Sequence, residues 1–356
     1  MLDNTIELNF LTLFSFISFF IFLIISKYGK KIYHGILLDD NFDKPQAFHL
    51  EPISRSGGLA SYICLILFII LNNLFFSIFY LEYLFLGTCL FFVGFCDDLK
   101  INMSPKVRLI LMVVSLVIFL SLFNLDLQSI DLYFLANWLE NNLFLNIFLI
   151  LCFLFIINGS NLIDGFNGLL GFHLLIINFF LLYINLYNQN FNFAIFIIAQ
   201  MTIILIFILF NFPKAKIFLG DGGAYLFGSL IAINIIKTNN FVPEISSFFY
   251  CIILFYLFFE VFFSFFRKII QNKSPFKPDD SHLHMLIFRY LKNKNIVESN
   301  YLCSIFINLT YVIVILPSFF FRNNGIFCKY WFILSLVIYI STYFAISSKI
   351  KSNENY

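Results

Sequence analysis

The chain has 356 residues, of which 61% are hydrophobic and only 12% charged, with a formal net charge of +2. A soluble domain is about 45–50% apolar and about 25% charged, so this composition excludes a water-soluble enzyme, a secreted disulfide module and a disordered tail. The small net charge also speaks against nucleic acid as a partner.

A helix needs about 20 apolar residues to cross a bilayer. Eleven runs approach or reach that length: residues 8–26, 58–78, 81–96, 107–123, 143–157, 169–187, 193–210, 218–236, 246–266, 301–321 and 330–347. They are continuous rather than alternating, which selects helices over barrel strands. The first run follows Asp3 and Glu7 and no base, unlike a signal peptide, so it reads as a retained helix. If the spans alternate across the membrane, 19 of the 22 Lys and Arg fall on the side of residues 27–56. The positive-inside rule makes that side cytoplasmic. The expected fold is an all-α polytopic membrane protein of about eleven transmembrane helices, N-terminus outside and C-terminus cytoplasmic. One domain fills residues 1–356, with a motif-bearing core at 43–286 and two C-terminal helices at 301–347. The seven cysteines lie mostly in apolar runs without a Cys-x-x-Cys or a Cys/His cluster, and read as small hydrophobic fillers.

Uncommon polar residues mark sites in a membrane protein, and here they gather in five patches on the predicted cytoplasmic side. The stretch GFCDDLKINMSPKVRL carries Asp97 and Asp98, with Lys100, Lys106 and Arg108 close behind. Carboxylates that hold a cation beside bases that hold phosphate suit a metal–diphosphate site. NGSNLIDGFNGLLG offers Asn158, Asn161, Asp164 and Asn167 among four glycines, more than a plain turn needs. Its amides can read a base or sugar, and its glycines permit close backbone approach. In FLGDGGAYLFG, Asp221 opens a helix whose glycine-flanked backbone N–H groups can face an anion. The segment 267–286 holds Arg267, Lys268, Lys273, Lys277, Asp279, Asp280, His282 and His284. Its bases suggest phosphate contact, whereas the two histidines exceed what positive-inside charge requires. A weaker patch, 43–58, adds Lys44, His49 and Arg55. Such a surface suits a polar nucleotide from one side and a lipid phosphate from the other.

The stretches HLEPISRSGG, GFCDDLKINMSPKVRL, NGSNLIDGFNGLLG, FLGDGGAYLFG and SPFKPDDSHLHM resemble, in order, the polyprenyl-phosphate N-acetylhexosamine-1-phosphate transferases of glycosyltransferase family 4. That family also contains the phospho-N-acetylmuramoyl-pentapeptide transferase of peptidoglycan synthesis. The resemblance implies transfer of a sugar-1-phosphate from a UDP-sugar to polyprenyl (undecaprenyl) phosphate in the bacterial inner membrane, with release of UMP. It implies Mg²⁺, with Mn²⁺ as a substitute, held by Asp97, Asp98 and Asp221. It places Asn158, Asn161, Asp164, Asn167 and Phe218 at the nucleotide. Arg267, His282 and His284 then hold the diphosphate or sugar, and Lys44, Arg55 and Lys106 contact substrate phosphates. Membrane lipids are the surroundings, and a homodimer is compatible. Three features depart from the family pattern: Met285 stands where many members have a further His, Asn167 where they have an acid, and Lys100–Asn102 where some carry a third acid. The SPFKPDDSHLHM motif and the missing His favour the sugar-phosphate initiators over the peptidoglycan branch. A transporter or flippase is the competing class, but such proteins carry ionisable residues near the midplane. Here Glu260, the main acid inside a predicted span, lies toward its cytoplasmic end. A catalytically inactive scaffold of the same fold is the third reading, opposed by the retained Asp97, Asp98 and Asp221.

Overall fold

Every one of the eleven apolar runs is helical in the computed structural model, which describes residues 2–29, 35–40, 52–101, 103–127, 130–274, 279–296 and 298–354. The helices are α1 (Leu2–Tyr28), α2 (Gly57–Phe76), α3 (Leu81–Asp98), α4 (Pro105–Leu122), α5 (Tyr133–Leu139), α6 (Asn142–Ile163) and α7 (Leu169–Tyr187). They continue with α8 (Phe191–Asn211), α9 (Gly220–Phe241), α10 (Ser247–Ile253), α11 (Phe255–Ile270), α12 (Leu283–Asn293), α13 (Ser299–Phe320) and α14 (Gly325–Glu354). Two-residue strands β1 (Leu38–Asp39) and β2 (Ile53–Ser54) pair antiparallel, Leu38 opposite Ser54. Local chemistry sets several helix starts. Ser104 accepts the Val107 N–H ahead of Pro105 at the head of α4, and Asn141 accepts two N–H groups at the head of α6.

The span count differs from the expected eleven. Among the described residues, eight helices are long and apolar enough to cross a membrane: α1, α2, α4, α6, α7, α8, α13 and α14. A ninth span results if α10 and α11, bent by 75° at their junction, count as one. Of the eleven predicted runs the remaining two, α3 and α9, fall outside this group for physical reasons. Three acids, Glu82, Asp97 and Asp98, sit within the 18 residues of α3. Helix α9 mixes Asn, Thr and Gly into its apolar sequence because it faces protein rather than lipid: nearly all of it is buried, and it packs against α2, α3, α6 and α7. Several polar side chains pair there. Asn234 donates to Asn178 Oδ1 (3.1 Å) and Gln200 Oε1 (2.8 Å), and Asn185 donates to Thr238 Oγ1 (2.9 Å). Such interhelical amide bonds fix helix register where apolar packing alone is permissive. Close approach of α3 to α9 needs Gly94, where a Cβ would stand 2.4 Å from the Asp221 carbonyl oxygen. The fold is thus an all-α polytopic membrane protein with α9 at its centre, and residues from four of the five polar patches gather near the N-terminus of α9.

Candidate active site

The two adjacent aspartates at the end of α3 do different work. Asp98 is buried, with its side chain only 1% exposed. Its oxygens accept the backbone N–H groups of Asp221 (3.0 Å) and Gly222 (2.9 Å). It therefore caps α9 from another helix, where the exposed N–H groups and the helix dipole favour a carboxylate. Gly220 makes this possible: it adopts a left-handed φ of 77°, and a Cβ there would lie 2.6 Å from Asp98 Oδ2. Asp97 is 29% exposed and turns the other way. Its Oδ2 accepts Arg108 Nη1 at 2.9 Å, and the same nitrogen donates to Asp221 Oδ2 at 2.8 Å.

Two carboxylate oxygens therefore converge on one cationic nitrogen at the mouth of α9. That geometry bears on the expected metal. Among the described residues no group of three or more His, Cys, Asp or Glu is arranged to hold an ion. The expected three-aspartate site reduces to Asp97 and Asp221, because both oxygens of Asp98 are committed to α9. The pair still fits Mg²⁺, which is bound by one or two carboxylates together with waters and substrate phosphates. Arg108 Nη1 marks the position as one built for positive charge.

The segment after β2 is stitched to the approach to α9. Gly57 donates to the Phe218 carbonyl (2.9 Å), Gly58 to that of Leu219 (2.8 Å) and Phe218 to that of Ser54 (2.8 Å). This brings Arg55 Nη1 to 3.7 Å from Asp98 Oδ1, while its Nε and Nη2 grip Asp39 Oδ2 at 3.1 and 2.7 Å. Burial opposes the Arg55 charge, but Asp39, Asp221 and Asp98 together hold its pKa above the ordinary value. Phe218 is half-buried at the same junction.

Asp164 ends α6 within electrostatic reach of this cluster. Burial, then the Asp221 and Asp98 charges, push its carboxyl well above the ordinary range. Asn161 lies half-buried one turn earlier. Asn158 donates to the Leu154 carbonyl of its own helix (2.7 Å). The Asn167 side chain holds the Pro213 carbonyl (2.8 Å), and its backbone N–H meets Asn300 Oδ1 (3.0 Å). As placed, Asn158 spends a side-chain donor on its own helix and Asn167 spends one on a loop carbonyl, the donors that were expected to face a nucleotide.

His282 and His284 belong to a second, buried assembly centred on Glu260 of α11. Glu260 Oε1 accepts the Leu283 N–H (2.8 Å) at the start of α12, and Oε2 accepts the Tyr339 hydroxyl (2.7 Å). His282 lies with Nδ1 3.6 Å from Glu260 and Nε2 3.2 Å from Asp279. His284 Nδ1 lies 3.5 Å from Glu260 and 3.3 Å from the Tyr256 hydroxyl. The two imidazoles are parallel, centroids 5.5 Å apart. Arg267 donates to Asp279 (2.9 Å). Burial raises the Asp279 carboxyl, but His282, Arg267 and Lys268 outweigh it and leave its pKa low. Burial also lowers the pKa of His284 against the pull of Glu260. The Phe166 ring, 5.7 Å from that of His284, joins this assembly to the loop after Asp164.

Lys106 is exposed on the first turn of α4. Lys44, His49 and Lys277 lie outside the described residues. The residue that sequence reading noted but gave no role is Arg108. Glu260 was weighed only as evidence about transport, and the structure makes it the hub of the histidine loop.

Fold and site together define an integral-membrane protein with paired carboxylates, a bridging arginine and a helix N-terminus at one end of its bundle. The family model described as "Glycosyl transferase family 4" matches residues 80–239. The chain is 24% identical over 325 residues to the undecaprenyl-phosphate alpha-N-acetylglucosaminyl 1-phosphate transferase of Thermotoga maritima, covering 90% of this chain and 91% of that one. It is 28% identical over 298 residues to the enzyme of the same name from Escherichia coli K12, covering 80% and 77%. It is also 30% identical over 235 residues to the phospho-N-acetylmuramoyl-pentapeptide-transferase of Dictyoglomus turgidum, covering 63% and 73%. The chain belongs to glycosyl transferase family 4.

Proposed function

We propose that the chain transfers an N-acetylhexosamine-1-phosphate, with N-acetylglucosamine the first sugar to test, from its UDP donor to polyprenyl phosphate. An oxygen of the lipid phosphate attacks the β-phosphorus of the donor. A new P–O–P linkage forms, the bond from the β-phosphorus to the bridging oxygen breaks, and UMP leaves with the electron pair. The observation that carries this reading is the convergence of Asp97 and Asp221 on one cationic position beside the α9 N-terminus. Two relatives, matched over 91% and 77% of their length, bear the name undecaprenyl-phosphate alpha-N-acetylglucosaminyl 1-phosphate transferase, which points the same way.

A phosphate monoester is already largely dianionic at pH 7, so the main barrier is bringing it to an anionic diphosphate rather than removing a proton. Asp97 and Asp221 would hold Mg²⁺, or Mn²⁺ in its place, which when bound neutralises charge on the diphosphate. Arg108 and Arg55 supply the nearby positive charge of the chain itself. Asn161, Asp164 and Phe218 are the candidates for the nucleotide, Arg267 and His282 for the diphosphate or sugar, and Lys44 and Lys106 for the lipid phosphate. In this reading α3 and α9 complete eleven spans, the N-terminus lies outside, and the site faces the cytoplasm at the inner membrane.

The test is UMP release by the detergent-purified protein with undecaprenyl phosphate, Mg²⁺ and a panel of UDP-sugars. Release that depends on both lipid and metal is expected. No release from folded protein with any donor overturns the proposal. The local similarity to the Dictyoglomus enzyme makes UDP-N-acetylmuramoyl-pentapeptide the necessary comparison donor, and it should be the poorer one.

A further inference from the structure

We infer that Arg108 is a built-in counter-ion of the Asp97–Asp221 pair that competes with the divalent cation, so that cation and diphosphate donor bind cooperatively. The inference rests on the transferase reading only for the identity of the donor.

The argument begins with space. A single nitrogen, Arg108 Nη1, lies 2.9 Å from Asp97 Oδ2 and 2.8 Å from Asp221 Oδ2. A Mg²⁺-sized ion bound to the same two oxygens sits about 2.0–2.1 Å from each. It would take the position of the guanidinium hydrogens, so the two cations exclude one another. The second step is where each group's bonds go. The other charged groups at this mouth are tied down: Asp98 by two α9 N–H groups, and Arg55 by two bonds to Asp39. Arg108 is 22% exposed, reaches from the first turn of α4, and makes its side-chain hydrogen bonds to the two carboxylates alone among the described residues.

Charge balance supplies the third step. A divalent ion arriving alone must displace a well-paired guanidinium and leave it without an anion. An ion arriving with a diphosphate gives that guanidinium a new partner whose oxygens match its planar fork. Bare-site metal binding is therefore penalised, and the penalty is relieved by the donor. The two carboxylates stay paired in the meantime, which keeps like charges at the α9 mouth from repelling one another.

The test uses the full-length protein in detergent. Mn²⁺ is titrated by the loss of its free-ion EPR signal, with and without UDP-N-acetylglucosamine, against a blank of nucleotide and ion. The wild type should bind Mn²⁺ weakly alone and more tightly with the nucleotide. Arg108→Gln should bind Mn²⁺ alone about tenfold more tightly than wild type, the scale of losing one charge-assisted competitor, and gain less from the nucleotide. Arg108→Lys keeps a charge without the fork, folds in the same charge state as wild type and should fall between them. Asp221→Asn should abolish the tight site in each background. An Arg108→Gln protein that binds Mn²⁺ alone no more tightly than wild type overturns the inference. So does an Arg108→Lys protein weaker than wild type, if the Gln variant does not fold. UMP release, measured in parallel, separates the two readings. Tighter Mn²⁺ binding by the variant without UMP release from wild type would leave the counter-ion role standing and remove the transferase.

Discussion

The N-termini of α9 and α12 are each held by a buried carboxylate from elsewhere in the chain, yet the surrounding sites differ in kind. Asp98 holds α9 through the Asp221 and Gly222 N–H groups, and Glu260 holds α12 through that of Leu283. Around α9 the neighbouring acids Asp97 and Asp221 stay partly exposed and share a single arginine nitrogen. Around α12 Glu260, His282, His284, Tyr256 and Tyr339 are buried and lie mainly against one another, with Asp279 partly exposed at their edge and one ring nitrogen of each histidine without a hydrogen-bond partner among the described residues. The first arrangement leaves charge available to a ligand. The second uses charge to fix a loop. The difference lies in what the acids face: Asp97 and Asp221 share an exchangeable cation, whereas Asp98 and Glu260 spend oxygens on backbone N–H groups.

The largest expected effect breaks the α9 site open. Asp97→Asn and Asp221→Asn should each lower UMP release by about a hundredfold to a thousandfold, the scale of losing a principal electrostatic contact in a transition state, with little change in melting temperature. Asp98→Asn should lose both activity and thermal stability, because an amide N–H₂ would confront one of the two backbone donors that the carboxylate now accepts. Equal melting temperatures for the Asp97 and Asp98 variants would erase the distinction drawn between them.

At the α12 site the expected loss is smaller and routed through position. Glu260→Gln keeps the size of the side chain but replaces one acceptor oxygen with a donor, beside Tyr339 and the Leu283 N–H. UMP release should fall by about tenfold, as is typical when a supporting partner of a functional histidine is removed, and the melting temperature should fall with it. His282→Ala should be more damaging than Lys273→Ala, since Lys273 is exposed. Equal, mild effects would reduce the histidine loop to ordinary positive-inside charge.

Much of this was legible in the sequence, and the gaps have physical causes. Run length revealed every long helix because a bilayer demands continuous apolar length. It could not say which helices touch lipid, so α9, shielded by four neighbours, was counted on the same footing as α1. Asp97 and Asp98 looked equivalent, but successive residues on a helix point about 100° apart, and only tertiary packing decides which one meets α9. Lys106 and Arg108 lie two positions apart and so on nearly opposite faces of α4. The exposed one received a role and the bridging one did not. The buried partnership of the histidine loop with Glu260 stayed hidden because Glu260 lies 23 residues from Leu283, beyond any local motif.

The smallest effect sharpens the comparison most, because its sign differs between the two sites. Asp164, near the α9 mouth, has a carboxyl raised by burial and by Asp221 and Asp98. The folded chain therefore holds this proton more tightly than the unfolded chain, and stability falls as pH rises from the ordinary carboxylate value through the raised one. Asp164→Asn should melt higher than wild type at pH 8 and match it most closely in acid, even as nucleotide binding suffers. Asp279, beside α12, is the reverse case: His282, Arg267 and Lys268 overcome burial and lower its pKa. Its ionised form contributes stability above the ordinary carboxylate value, and that contribution disappears as pH falls through the lowered one. Asp279→Asn should melt lower than wild type at pH 8, with the gap narrowing in acid. Melting curves of the two variants at pH 8 and at a pH below the ordinary carboxylate value decide the matter. Opposite signs at pH 8 mean that one region holds its acid against the demands of folding while the other uses its acid to fold. The same sign for both would show that the contrast between an open and a self-satisfied site is not carried by their carboxylates.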